Sequence, residues 1–309
     1  MQREIITPKD EAHWLDLRRQ DITSTQSAAL FGLSPYVTRF ELYHLHRNGI
    51  EVPFVATDRT GKGKRMEWAI AGEAALQEGW SGLKPLKDYI RDPAARIGAS
   101  FDYEAVDELG CPLLVEIKMV DYFRYRDLWV DGEAPEHIET QVQHQLEVAD
   151  RFERAAIVAW SGTYDCNVIY RDRDHIFGKA IRGAVADFWR SVEAGQEPEV
   201  DYARDEKVIA ALFRQARGEP LDLTDDEEMD LLAARYERAK ASASEFSKEA
   251  DALKAEIHHR LANAPGGFTS RYKITAGWTK DTPDRAAEPG EIIKGRKGYR
   301  QCLIKPTTR

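Results

Sequence analysis

At 309 residues, with 42% hydrophobic and 10% aromatic content, the chain is long enough for one large domain, or one domain with an appendage, and apolar enough to bury a core. No stretch approaches the roughly eighteen uninterrupted apolar residues of a membrane-spanning helix, residues 1–14 lack the apolar run of a secretory leader, and Cys111, Cys166 and Cys302 are too scattered for a disulfide framework or a zinc site, so a reducing cytoplasm is the expected compartment. The formal net charge of −9 decides little, because a metal site concentrates carboxylates and a local basic groove can coexist with an acidic chain.

Three regions are expected: residues 1–200 with alternating helix and strand patterns, a mixed linker over 201–223 that includes Gly218-Glu219-Pro220, and an appendage over 224–309. In the first region, Arg18 and the cluster Thr23-Ser24-Thr25 stand just before a helix, where hydroxyls, a helix N-terminus and a guanidinium suit a phosphate group; a plain Ser/Thr cap is the competing reading. Thr38–Asn48 and Lys62–Gln77 read as helices, Ile97–Tyr103 and Pro112–Val120 as strands. The turn residues Asp107-Glu108-Leu109-Gly110 between those strands predict a hairpin. Pro135–Asp150 reads as a helix with Ile138, Val142, Leu146 and Ala149 on one face. Ala155–Trp160 and Cys166–Tyr170 read as short strands, and Asp174–Glu193 as a closing amphipathic helix. Helices flanking a small mixed sheet make an α/β sandwich the expected fold.

Beyond the linker, Thr224 is the expected N-cap of a long helix with an acidic first turn. Its apolar residues, among them Leu232, Tyr236, Phe246 and Leu253, recur in alternating steps of four and three, a seam that predicts a helical hairpin or coiled coil. Pro265-Gly266-Gly267 ends it, and Arg271–Thr279 alternates as a strand.

Chemistry concentrates on Leu114-Val115-Glu116-Ile117-Lys118-Met119. Strand alternation puts Glu116 and Lys118 on one face, and Val115, Ile117 and Met119 on the other. A Glu and a Lys on an otherwise buried strand are costly unless paired or liganded. The hairpin brings Asp102 beside Glu116, so two carboxylates and one ammonium converge at one end of a sheet. Asp102 and Glu116, with the Ile117 carbonyl as a third oxygen, are hard donors suited to Mg²⁺ or Mn²⁺. An ion held there would polarise a phosphate and acidify a water, and Lys118 would orient that water or stabilise charge developing on phosphorus. The competing reading is a surface ion pair on an edge strand, since Glu-x-Lys is a common string. Neither His44/His46 nor His258/His259 has ligand spacing, Ser161-Gly162 is no nucleophile elbow, and no Walker-type loop appears.

An Asp, a hairpin and Glu-x-Lys together resemble the PD-(D/E)xK nuclease signature. Ile22–Tyr36 (ITSTQSAALFGLSPY) followed by Phe40-Glu41-Leu42-Tyr43, then Gly63–Glu67 (GKRME), Ala99–Asp102 (ASFD), Val115–Lys118 (VEIK) and Gln141–Leu146 (QVQHQL) stand in the order and spacing of the lambda exonuclease or YqaJ-like viral recombinase family across roughly residues 10–195. The resemblance implies a restriction-endonuclease-like α/β core, with a long C-terminal helix and a hairpin-like appendage outside it. It implies Asp102 and Glu116 as principal metal ligands, Glu67 as a further carboxylate, Lys118 as the catalytic lysine, and Gln141 (Gln145 in reserve) holding the lysine, the water or the DNA backbone. It also implies a pocket for a 5′-terminal phosphate at Arg18, Thr23, Ser24 and Thr25, with Thr25 standing where the lambda-type block has a serine. The expected activity is Mg²⁺-dependent exonucleolytic hydrolysis of double-stranded DNA from the 5′ end for recombination. A ring-shaped homo-oligomer and a single-strand annealing protein are the implied partners. A structure-specific or nicking endonuclease, and a non-catalytic DNA-binding scaffold, are the alternatives.

Overall fold

In a computed structural model of the chain, residues 3–52, 58–162, 166–214, 218–281, 285–288, 291–293, 299–300 and 303–306 are described. They fall into two compact units, Met1–Ala216 and Arg217–Arg309. No helix among the described residues is long and apolar enough to cross a membrane. Cys111 is exposed and Cys166 buried; Cys302 lies outside the described residues.

The first unit runs β1 (Glu4–Ile6), α1 (Glu11–Arg18), β2 (Ile22–Thr23), α2 (Ser24–Leu30), α3 (Arg39–Asn48), α4 (Asp58–Gln77), β3 (Ser81–Pro85), β4 (Tyr89–Asp92), β5 (Ile97–Ala99), β6 (Tyr103–Val106), β7 (Pro112–Met119), α5 (Tyr122–Leu128), α6 (Glu136–Ala149), β8 (Arg154–Trp160), β9 (Asn167–Asp172), α7 (His175–Ala194) and α8 (Glu206–Leu212). The main sheet has the order β3-β6-β7-β8-β9, with β7 and β8 parallel and the other pairs antiparallel. A parallel pair needs a long crossover, and α5 and α6 supply it. A smaller sheet, β1-β4-β5-β2, lies in the same unit. The mixed sheets flanked by helices are the α/β fold expected from the element pattern.

Alternation along β7 sorts its residues into two cores. Leu114 joins Val142, Leu146, Ala155, Ile157, Ile181 and Phe188 in one cluster. Leu113, Val115 and Ile117 join Ile70, Ala71, Ala74, Ala156 and Val158 in the other. The sheet is therefore sandwiched, with α6 and α7 on one side and α4 on the other. Strand β8 is buried on both faces, which explains its continuous apolar run.

The strand expected over Ile97–Tyr103 is instead two strands in two sheets: β5 pairs with β4 and β2, and β6 pairs with β3 and β7. The chain changes sheet at Ser100–Asp102. Gly98 permits the crossing, because a Cβ there would collide with the Tyr89 hydroxyl and lie 2.8 Å from Asp21 Oδ2. Tyr89 and Arg91 in turn donate to the fully buried Asp21 at 3.0 and 2.8 Å.

Residues 201–212, expected to begin a linker, are held on the first unit. Asp205 is fully buried, Thr38 donates to it at 2.5 Å, and Arg204 donates to the Ser34 carbonyl at 2.6 Å.

In the second unit, α9 (Glu227–Leu261) is followed by β10 (Gly266–Phe268), β11 (Tyr272–Thr275), β12 (Trp278–Thr279), β13 (Arg285–Glu288), β14 (Glu291–Ile293), β15 (Tyr299–Arg300) and β16 (Leu303–Pro306). Its N-cap is Asp226, which accepts from Met229 N–H at 2.8 Å, and not Thr224, whose hydroxyl is taken by Asp222. The seam residues Leu232, Tyr236, Phe246 and Leu253 are exposed. The Arg271–Thr279 strand is two, β11 and β12, interrupted at Ala276-Gly277.

Candidate active site

The site is assembled at the C-terminal end of β7. Register Tyr103↔Val115 between β6 and β7 sets Asp102, the residue before β6, beside the Glu116–Ile117 peptide. Asp102 Oδ2 accepts the Ile117 N–H at 2.9 Å, which fixes its carboxylate against the strand. Glu116 is 3% exposed and is held by three side-chain donors. Lys118 Nζ and Gln141 Nε2 both reach its Oε1 at 2.6 Å, and Gln145 Nε2 reaches Oε2 at 2.8 Å. Lys118 Nζ also donates to Gln141 Oε1 at 3.1 Å. The Gln141 amide thus contacts carboxylate and ammonium at once. Gln141 and Gln145 are one turn apart on α6 and face β7 together. Gln145 also donates to the Ser100 carbonyl at 3.0 Å, tying α6 to the crossing that carries Asp102.

Burial, then the neighbouring Glu116 carboxylate, push Asp102 up to about 8, against the opposing pull of Lys118 and the Ile117 N–H. Half-buried Glu67, on α4, is also raised, by burial and by Glu116. For Lys118, burial opposes the charged form, but the Glu116 and Asp102 carboxylates outweigh it and raise its pKa. Lys64 and Lys118 both oppose the rise of Glu67 without cancelling it, so the three carboxylates are left short of positive charge.

The described residues contain no ready-made cluster of three His, Cys, Asp or Glu side chains in metal-ligand geometry. The donor chemistry nevertheless fits a hard divalent cation, whose charge would relieve the repulsion that raises Asp102 and Glu67. The Ile117 side chain packs into the core under α4, leaving its main chain at the site.

The phosphate-site residues separate. Arg18 donates to the Thr25 hydroxyl at 3.1 Å and to that of Thr23 at 3.5 Å, and lies over the Trp14 ring, 4.5 Å from its centroid. Trp14 Nε1 donates to Ser100 Oγ at 2.8 Å. Thr23 is fully buried and Ser24 nearly so, and Thr23 is engaged with Gln26 in the cap of α2. Thr25 alone of the three is exposed. It lines a cavity of about 200 Å³ together with Ser34, Tyr36, Lys118, His137 and Gln141. Sequence reasoning assigned no role to Tyr36 or His137. The one local signal for His137 was its position four residues before Gln141, on the same helix face.

Behind the site, fully buried His144 on α6 bonds the Gly98 carbonyl through Nε2 at 3.0 Å. A carbonyl partner makes Nε2 the protonated nitrogen, and Nδ1 has no hydrogen-bond partner among the described residues. Burial holds His144 down at about 4, and burial followed by Arg96 does the same to His46. A base whose folded pKa lies below its unfolded value leaves the unfolded chain binding more protons. The stability these two histidines contribute is therefore complete above about pH 6.5 and falls as pH drops towards about 4, whereas Asp102, raised in the folded chain, contributes a slope of opposite sign. Each histidine is expected to contribute a slope of about 1.4 kcal/mol per pH unit in that window. Urea unfolding between pH 7.5 and 4.5 measures it, and His144→Gln is expected to remove one share of the slope; an unchanged slope in that variant contradicts the account.

Residues 13–152, just under half of the chain, match the profile of the YqaJ-like viral recombinase domain. The chain is 26% identical over 312 residues to the uncharacterized protein YqaJ of Bacillus subtilis (strain 168), covering 94% of this chain and 93% of that one. Among solved structures, it resembles an alkaline exonuclease (LHK-Exo) from Laribacter hongkongensis, with 18% identity, TM-score 0.48, and 65% of this chain and 99% of that one covered. The same exonuclease in complex with dAMP matches at 17% identity and TM-score 0.47, with 65% and 99% covered.

Proposed function

We propose, from the match of residues 13–152 to the YqaJ-like viral recombinase domain and from the site geometry, that the chain is a Mg²⁺-dependent exonuclease of double-stranded DNA. It hydrolyses one strand from its 5′ end and leaves a 3′ overhang for recombination. The observation that carries the reading is the Lys118 ammonium, held between Glu116 Oε1 and Gln141 Oε1 beside a carboxylate locked to the strand backbone.

Asp102, Glu116, the Ile117 carbonyl and Glu67 would hold the cation. A divalent ion there supplies Lewis-acid polarisation of a phosphate and a water nucleophile near neutral pH; Mn²⁺ serves the same donors. Lys118 stabilises the charge that develops on the phosphoryl oxygens. Gln141 fixes the direction of the Lys118 amine, and Gln145 keeps Glu116 from rotating away. Arg18 and Thr25, hydrogen-bonded to each other, receive a 5′-terminal phosphate, with Thr25 in the lining of the cavity that Lys118 shares. Double-stranded DNA is the substrate, and a ring-shaped homo-oligomer working with a single-strand annealing protein belongs to the same reading.

The test uses linear duplex DNA labelled separately at each end of one strand, incubated with Mg²⁺ or with EDTA, beside a covalently closed circle. The expected result is Mg²⁺-dependent mononucleotide release beginning at the 5′ label, with the circle intact. A cut circle makes the enzyme an endonuclease. No product on any DNA with any divalent metal leaves the scaffold reading.

A further inference from the structure

We propose that Tyr36, with His137 opposite it, forms a stacking site for a nucleobase of the cleaved strand beside the scissile phosphate. The proposal rests on the nuclease reading and adds a binding site to it.

Two cavities meet at Lys118. One, of about 200 Å³, is lined also by Thr25, Ser34 and Gln141; the other, of about 170 Å³, is lined also by Val120, Arg124, Leu128 and Trp129. Tyr36, Lys118, His137 and Ile138 line both. A nucleotide offers a flat, largely apolar base joined to an anion. The second cavity offers the complement: apolar and aromatic walls, with Lys118 and Arg124 in its lining.

Tyr36 is 74% exposed, unusual for a large ring placed beside a buried charge cluster. Its backbone is nonetheless firmly held. The 4%-exposed Ser34 accepts both Tyr36 N–H and Val37 N–H through its hydroxyl at 3.2 Å, and Arg204 grips the Ser34 carbonyl. The turn is rigid while the ring is presented to solvent. The His137 ring meets it in a T-shaped contact, centroids 5.6 Å apart at 82°, and at 74% exposure the Tyr36 ring keeps most of its surface open. An open aromatic ring carried on a hydrogen-bonded turn suits base stacking, because part of the backbone ordering is done before the ligand arrives. Solvation alone would not require the Ser34–Arg204 bracing. The site is indifferent to sequence, since every base has a π-face.

The experiment places 2-aminopurine at the first or second nucleotide of the 5′ end of a linear duplex, and reads its fluorescence with metal-free protein in EDTA. Wild-type protein is expected to quench one of the two positions, Tyr36→Ala to lose that quenching, and Tyr36→Phe to retain it. A parallel set replaces the quenched nucleotide by an abasic analogue and follows Mg²⁺-dependent single-turnover cleavage. Wild type is expected to lose roughly tenfold to a hundredfold on the abasic end; Tyr36→Ala is expected to lose a similar factor on the normal end and nothing further on the abasic one. Equal quenching by wild type and Tyr36→Ala, or no quenching at either position, overturns the stacking site. Because the fluorescence arm needs no catalysis, an inactive wild-type protein would refute the nuclease reading while the stacking site is still decided.

Discussion

Lys118→Ala is expected to slow DNA cleavage by roughly 10²–10³-fold yet to keep, or enlarge, the rise in melting temperature that Mg²⁺ produces. Asp102→Ala is expected to lose both. The contrast follows from what each side chain contributes. Lys118 is a charge and a donor, placed 2.6 Å from Glu116 Oε1, and it competes with a cation for the same oxygen. Removing it leaves Glu116 with the Gln141 and Gln145 amides and makes the site more negative, so cation binding does not suffer. Asp102 is a hard oxygen donor, and its loss would delete part of the proposed ligand set. Its loss also relieves the burial and the Glu116 repulsion that raise its pKa, but it orphans the Ile117 N–H at a cost of about 1–3 kcal/mol, so the metal-free variant is expected to melt somewhat below wild type. A thermal-shift titration with Mg²⁺, run beside the end-labelled cleavage assay, separates the two roles, because ligand binding stabilises only the state that binds. Full activity in either variant refutes the assigned site. A metal-induced shift kept by Asp102→Ala and lost by Lys118→Ala reverses the roles.

The parts of this site that were legible in the sequence are those governed by local periodicity. Strand alternation on β7 separated Glu116 and Lys118 from Val115, Ile117 and Met119, and the last three pack in one core while Leu114, on the face of Glu116, packs in the other. The Asp107–Gly110 turn announced the β6–β7 hairpin, with Gly110 at φ +79°. What local pattern missed is set by distant partners. Ile97–Tyr103 reads as one strand because nothing within it records that Tyr89 and Asp21 crowd Gly98, so the change of sheet was invisible. Helix α6 reads as amphipathic, yet its polar face is buried too: Gln143, His144, Gln145 and Glu147 are all at most 7% exposed. Each has a partner from another element, and hydropathy cannot distinguish a polar side chain with a buried partner from one facing water. At α9, Thr224, Asp225 and Asp226 offer three adjacent capping residues, and only the structure selects Asp226. Tyr36 and His137 meet across about a hundred residues of chain, a juxtaposition no local signal encodes.

Glu147 on α6 is the buried charge on which most depends after the site itself, and Glu147→Ala is expected to lower stability by about 3 kcal/mol. Its Oε1 accepts Arg182 Nε at 2.5 Å and its Oε2 accepts Arg173 at 3.0 Å. Arg182 continues to Asp92 Oδ2 at 3.0 Å and Arg173 to Asp150 Oδ1 at 2.7 Å. The chain of pairs fastens α7 to α6 and to the end of β4. Gly178 accommodates it, since a Cβ there would lie 2.6 Å from Glu147 Oε2. Burial opposes the Glu147 carboxylate, but the two guanidinium groups outweigh it and lower its pKa. Truncation leaves Arg182 with Asp92 alone and Arg173 with Asp150 and the more distant Glu153, which places the cost at the low end of the range for broken buried pairs. At about 2–4 °C per kcal/mol for a domain of this size, the melting temperature should fall by roughly 6–12 °C. Glu147→Gln keeps an acceptor for one arginine and should lose less. A change within about 0.5 kcal/mol for Glu147→Ala would show that Asp92 and Asp150 suffice. The same helix carries Gln145 and Gln141 towards Glu116, so a loosened α6 should also lower the cleavage rate, though by less than Lys118→Ala. A rate that falls while the Mg²⁺-induced shift persists would locate the damage in the orientation of those glutamines rather than in the ligand set.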